Sequence, residues 1–264
     1  MPIVLEEGTQ LVPVAVDGQG VVQVEVRFLP ARLAGRRPLA VVTHGTNPAE
    51  NQRRRFRVES YDIWSEDLRA LGFNALVIAR PGWGNSQGIA TDIVASCEIT
   101  AYDKAAKEVA SQVGAVIRAL APSDSIALDQ IVAMGASGGG WGMLALAGSD
   151  VPGLIAVVNL AGAQAWRFHY KTCDLDPMIA SARKLGGESR VPSLWVYARG
   201  DSRLPDHRVP DLVAAYRAGA GQAAFYRVTV GAGDPHGFMF DLRGRLLLWH
   251  RFQAFAATLP IALD

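Results

Sequence analysis

The chain is poor in several things at once, and each shortage narrows what it can be. Charged residues make up only 19% of 264 positions, and the two signs nearly cancel at a formal +1. No single-sign block forms a tail, so nothing favours a nucleic-acid partner. Long apolar runs are missing too: no stretch approaches the ~18 residues that a membrane-spanning helix needs. The opening "MPIVLEEGTQ" lacks a basic segment followed by an apolar one, because Glu6 and Glu7 interrupt it at once. A cytoplasmic protein without membrane association is therefore expected, with a periplasmic or secreted one as the alternative if a leader was removed. Cysteine is nearly absent. Cys97 and Cys173 are either two buried thiols or one disulfide, and their spacing does not choose. No G-K-[ST] follows the glycine-rich turns, which argues against a phosphate-cradling loop of the nucleotide-binding kind.

What the chain has in quantity is apolar residues, half of the total, and glycine, 27 residues. The apolar residues fall into patterns. "QLVPVAV", the turn "DGQG" and "VVQVEVRFL" alternate with period two around a glycine-bearing turn, which predicts an antiparallel hairpin. Short continuous runs follow at 39–43, 75–79, 131–134, 154–160, 193–198 and 223–230, as in strands buried on both faces of a parallel sheet. Between them lie helix patterns. "YDIWSEDLRALG" offers Ile63, Trp64, Leu68 and Leu71, and a second helix offers Val109, Val113, Val116, Ile117 and Leu120 before Pro122. "HRVPDLVAAYRAG" and "RLLLWHRFQAFAATL" supply two more. Strands alternating with helices specify an α/β fold, an open, mostly parallel sheet of about eight strands with helices on both faces. We expect one domain over 1–264. The longest irregular stretch, 162–192, is expected to carry a helix near 176–185 and to form at most a small cap over a site.

Chemistry is concentrated at "IVAMGASGGGWGMLALAG". Gly135-Ala136-Ser137-Gly138-Gly139 matches G-x-S-x-G, the nucleophile-elbow pattern, and so does Gly84-Asn85-Ser86-Gln87-Gly88. Only the first has the required context. Ser137 follows an apolar strand by two residues and runs straight into a small-residue helix, whereas Ser86 sits in the long loop "RPGWGNSQG". The glycines allow a sharp turn, and the helix start behind Ser137 offers free N–H groups to a forming anion.

A serine hydroxyl needs a base, and the base needs an acid to fix its tautomer. Among five histidines, His236 in "VGAGDPHGFMF" falls in a loop just after the last strand run. His44 precedes Ser137 and reads as an organiser of its loop; His169, His207 and His250 lie in the cap region or on helices. Asp201, three residues past the run at 193–198, is the expected acid, with Asp206 as the alternative. Asp234 is too near His236 along the chain to orient its ring, and Asp174 and Asp176 lie in the cap region. Two oxyanion donors are expected: the N–H of Gly138, and that of Thr46 after "VVTHG", with Asn47 as the fallback. No metal or organic cofactor is required by such chemistry. Trp83, Trp141 and Trp166 are either acyl-pocket walls or plain core. The arginines Arg53, Arg54, Arg55 and Arg57 are a solvated loop, or, if they border the site, a preference for acidic substrates.

Taken together, "HGT", "ARPGWGNSQG", "GASGGGW", "YARGDSRLP" and "GDPHGF" resemble the α/β-hydrolase superfamily over roughly residues 20–258. Within it the chain is most similar to dienelactone hydrolase-like serine esterases. The resemblance implies an α/β-hydrolase fold and a Ser137–His236–Asp201 triad that cleaves carboxylic esters of small molecules. A peptidase or acyl-peptide hydrolase, a thioesterase, or a catalytically silent binding protein are the alternatives on that fold. The founding dienelactone hydrolases carry cysteine at the elbow where this chain has Ser137, which turns the expectation from lactones towards ordinary esters. Related exported members have a cysteine pair in comparable regions, so the resemblance also makes a Cys97–Cys173 disulfide conceivable.

Overall fold

The computed structural model describes residues 2–94, 96–164, 167–168, 171–231 and 233–261. Trp166 and His169 lie outside the described residues. Strands are β1 (Gly8–Val16), β2 (Gly20–Leu29), β3 (Arg37–Thr43), β4 (Asn74–Ile78), β5 (Ile126–Ala136), β6 (Leu154–Leu160), β7 (Arg167–Phe168), β8 (Lys171–Thr172), β9 (Ser193–Ala198) and β10 (Ala223–Val228). Helices are α1 (Glu50–Arg53), α2 (Asp62–Ala70), α3 (Ile99–Ala119), α4 (Gly138–Leu146), α5 (Asp176–Glu188), α6 (Val209–Ala218) and α7 (Leu242–Ala256).

Eight strands form one sheet in the order β1-β2-β4-β3-β5-β6-β9-β10, and β7 pairs only with β8. The hairpin is where alternation placed it: β1 and β2 are antiparallel, with Val16 opposite Gly20 across the tight turn. From β4 to β10 every neighbouring pair is parallel. The apolar runs explain this half of the sheet, since residues of β3, β4, β5, β6 and β9 are buried on both faces. One core layer joins the sheet to α3, α4, α5 and α6, the other to α2 and α7.

Three expectations needed adjusting at this level, one of them the run at 223–230: β10 ends at Val228 and, as the edge strand of the sheet, is only partly buried. β5 begins at Ile126, five residues earlier than its apolar run, because Asp129 and Gln130 interrupt the pattern where the register with β3 shifts. On α2, Trp64 and Leu68 are fully buried but Ile63 is 42% exposed. Its position is one residue, about 100°, off the buried stripe.

Cys97 and Cys173 form a disulfide, with Cα atoms 5.4 Å apart. It ties the chain just before α3 to the chain just before α5. Within 162–192, α5 lies against α3 and α6. No helix among the described residues is long and apolar enough to cross a membrane.

Candidate active site

Ser137 stands between the end of β5 and the start of α4, at φ 51° and ψ −124°. An L-residue resists such a backbone, at a cost of roughly 1–3 kcal/mol, so the surroundings must hold it there. They do so at both ends: its N–H donates to Leu160 O at 2.8 Å, and its C=O accepts from Trp141 N at 3.0 Å. Two glycines make the turn possible by having no side chain. A Cβ on Gly135 would run into the backbone of Gly139, and one on Gly139 would run into His44 O. Ser137 is thereby held in a forced turn on the wall of a cavity of about 960 Å³.

His236 reaches the same cavity from the 3-10 helix Pro235–Phe240 that follows β10. Its Nδ1 lies 2.9 and 3.0 Å from the two carboxylate oxygens of Asp201. Asp201, whose side chain is completely buried, also accepts Arg203 N–H at 2.7 Å. Asp234 does not touch the imidazole. Its carboxylate instead accepts from His236 N–H at 2.9 Å and from Ser202 Oγ at 2.8 Å, tying the loop of Asp201 to that of His236. The Ser202 bond first, then the His236 N–H, hold its carboxyl below the usual aspartate range. Asp206 turns elsewhere, to Gly200 N–H at 3.2 Å and to an ion pair with Arg227.

Thr46 and Gly138 face one another. A Cβ on Gly138 would collide with the Thr46 side chain and lie 3.2 Å from Thr46 N. As the first residue of α4, Gly138 also has an N–H with no acceptor inside the helix.

The loop carrying Thr46 is fastened by a residue pair that sequence reasoning missed. Arg80, fully buried at the end of β4, donates to Thr43 Oγ1 (2.8 Å), His44 O (2.6 Å), Gly45 O (2.9 Å) and Asp92 Oδ2 (2.8 Å). Asp92 Oδ2 accepts Thr46 Oγ1 as well, at 2.9 Å. The run "ALVIAR" carried a signal, since an arginine ending a strand buried on both faces needs partners for its charge. Asp92 carried none, because a Gly/Pro-rich loop separates it from Arg80. Removing one partner of a buried ion pair leaves the other uncompensated, typically at 3–5 kcal/mol. Asp92→Ala is expected to lose about that much in urea unfolding. Asp92→Asn, which keeps an acceptor, should lose clearly less; equal stability of all three proteins would refute the clamp.

His44 organises this loop. Its Nε2 accepts from Arg80 N–H at 3.0 Å and its Nδ1 donates to Gly45 O at 2.8 Å, so both nitrogens are taken. Burial first, then the Arg80 charge, push its pKa well below the usual histidine value. Ser86 is structural: its hydroxyl donates to Ala79 O and accepts from Glu25 N–H. His207 and His250 are exposed and do not line the cavity.

Of the two readings of the tryptophans, plain core holds for Trp83 and Trp141. Trp141 is core, its Nε1 donating to Tyr102 O at 3.2 Å, and Trp83 lies against the His44 ring at 4.0 Å; neither lines the cavity. The apolar wall is built instead from Tyr61, Ile93, Val94, Ala163, Met239 and Phe240. None of Arg53, Arg54, Arg55 or Arg57 borders it. Arg53, Arg54 and Arg57 donate to loop carbonyls, and the cation in the wall is Arg203. The conditional preference for acidic substrates through that patch therefore falls away.

No protein-family model matches the sequence, and no curated protein matches it either. Solved structures match it in shape. A dienelactone hydrolase-like promiscuous phosphotriesterase from metagenomic libraries has TM-score 0.62 at 18% identity, over 96% of this chain and 99% of that one. An esterase from Pyrococcus furiosus has TM-score 0.64 at 12% identity, over 98% of this chain and 96% of that one. An acylaminoacyl peptidase, solved in complex with Z-Gly-Gly-Phe-chloromethyl ketone, has TM-score 0.62 at 14% identity over 95% of this chain. This chain spans 41% of that peptidase's length. At such identities the likeness is one of fold, and it is plain: the chain has the α/β-hydrolase fold.

Proposed function

We propose that the protein is a serine hydrolase of carboxylic esters. One observation carries the reading. His236 Nδ1 sits 2.9 Å from a fully buried Asp201 carboxylate, while His236 and the strained Ser137 line one cavity. With Nδ1–H donated to Asp201, the Nε2 of His236 is the free base. It takes the proton of Ser137 Oγ as the oxygen attacks the ester carbonyl. The N–H groups of Gly138 and Thr46 then hold the tetrahedral anion. Collapse expels the alcohol, which takes the proton from His236, and water repeats the cycle on the acyl-enzyme to free the acid. Asp201 stays ionised throughout and stabilises the imidazolium.

Labelling with a fluorophosphonate and mapping the adduct by mass spectrometry tests this directly. The adduct is expected on Ser137, and a protein left unmodified would refute the proposal. Matched p-nitrophenyl esters, p-nitroanilides and thioesters then rank the substrate classes, with esters expected to turn over fastest. The Cys97–Cys173 disulfide supports a periplasmic or secreted setting, since such bonds persist in oxidising compartments.

A further inference from the structure

Among the described residues, one buried polar side-chain atom in the cavity wall is used by nothing in the chemistry above and has no partner in the protein. Gln164 is 3% exposed, lines the cavity, and its buried Nε2 has no hydrogen-bond partner. The other amides and aliphatic hydroxyls in the wall, Ser137 aside, are all engaged. Asn47 Nδ2 donates to Gln52 Oε1 at 2.7 Å, Thr46 Oγ1 to Asp92, and Ser202 Oγ to Asp234. A buried donor without an acceptor costs free energy in the folded state, so an unmet amide in a wall marks a place where a ligand completes the bonding.

The backbone presents this amide in a fixed position. Leu160 O accepts Ser137 N–H, and Ala161, held at φ 47°, donates its N–H to Val196 O at 2.9 Å. Tyr197 donates its hydroxyl to Gly162 O and accepts from Asn159 Nδ2 at 3.3 Å. Gln164 thus follows a strained, pinned segment, four residues beyond a residue bonded to the elbow. Four residues of chain span at most about 14 Å, so Gln164 stays within that reach of Leu160, and its side chain and Ser137 line one cavity.

We propose that Gln164 is a specificity residue that donates to an uncharged accepting oxygen of the substrate, an ether, hydroxyl or carbonyl lying a few atoms from the scissile bond. The inference rests on the ester-hydrolase reading and adds a substrate class to it: oxygen-substituted esters over plain alkyl ones. An uncharged acceptor fits because the amide is nearly closed off from water. A carboxylate buried there would lose its hydration without gaining a counter-ion, and Arg203 is exposed.

The test uses p-nitrophenyl heptanoate and analogues in which one methylene, from the fourth carbon outward, is replaced by oxygen. A second series carries the oxygen in the alcohol chain of butanoate esters. Each kcat/KM is normalised to alkaline hydrolysis. Wild type is expected to favour one ether position over its alkyl counterpart about fivefold or more. In Gln164→Leu that ratio should fall to about one. Because the ratio is taken within each protein, a partly folded variant does not distort it. Ligand-free Gln164→Leu should also melt higher, by roughly 2–4 °C, having no unmet donor; Gln164→Met serves as a second apolar variant. A ratio unchanged by both substitutions, or a Tm lowered by both, overturns the proposal while leaving the hydrolase intact. No turnover of any ester together with no labelling of Ser137 overturns the hydrolase reading, and this one with it.

Discussion

His236→Ala is expected to lower kcat on an activated ester by about 10⁶, with Ser137→Ala and the double variant losing no more than either single one. The size follows from what the hydroxyl lacks. An alcohol is a feeble nucleophile at neutral pH, and no other described side chain is placed to take its proton: His44 has both nitrogens bonded and is kept neutral by burial and Arg80. Residues that act as one unit lose their shared effect once, not twice, which is why the double variant matters. The fold should survive, since the imidazole keeps 17% of its surface exposed and among the described residues its ring bonds only Asp201. Steady-state rates and thermal unfolding, measured on the same preparations, separate the two effects. Losses that multiply in the double variant, or a single-variant loss below tenfold, would mean that the two residues do not work together.

The sequence made the frame of this site legible and left its supports obscure, for a physical reason. Elements that are buried by pattern announce themselves: the period-two hairpin, the continuous runs of β3, β4 and β9, and the valines of α3 all sit where spacing placed them. The turn at Ser137 was readable because its backbone demands glycine at fixed offsets. Asp201 and His236 were expected from their place after strands, and the structure brings their side chains together. Side-chain bonds across loops leave no such trace. The link from Arg80 to Asp92, the unmet amide of Gln164 and the apolar wall of Tyr61, Met239 and Phe240 depend on three-dimensional neighbours drawn from separate segments. The tryptophans left two readings open for the same reason: an aromatic ring fills a core or a pocket equally well, and only packing decides.

Asp201→Asn is the sharper test, because it changes almost nothing except where a proton sits. Asp201 Oδ1 accepts Arg203 N–H at 2.7 Å, and both carboxylate oxygens lie within 3.0 Å of His236 Nδ1. An asparagine that keeps its oxygen on Arg203 N–H places its NH₂ at the Oδ2 position, 3.0 Å from Nδ1, where it competes with the retained oxygen at 2.9 Å for the ring nitrogen. Where Nδ1 accepts from that NH₂, the ring proton moves to Nε2, which can then no longer take a proton. The expected result is a fall in kcat of about 10⁴. KM and thermal stability should stay near wild type, since shape and the Arg203 bond are kept. If Asp201 served only to close its turn, asparagine would do that equally well and kcat would not move. A loss of less than about tenfold therefore removes Asp201 from the chemistry, and with it the case that the buried carboxylate sets the tautomer of the base.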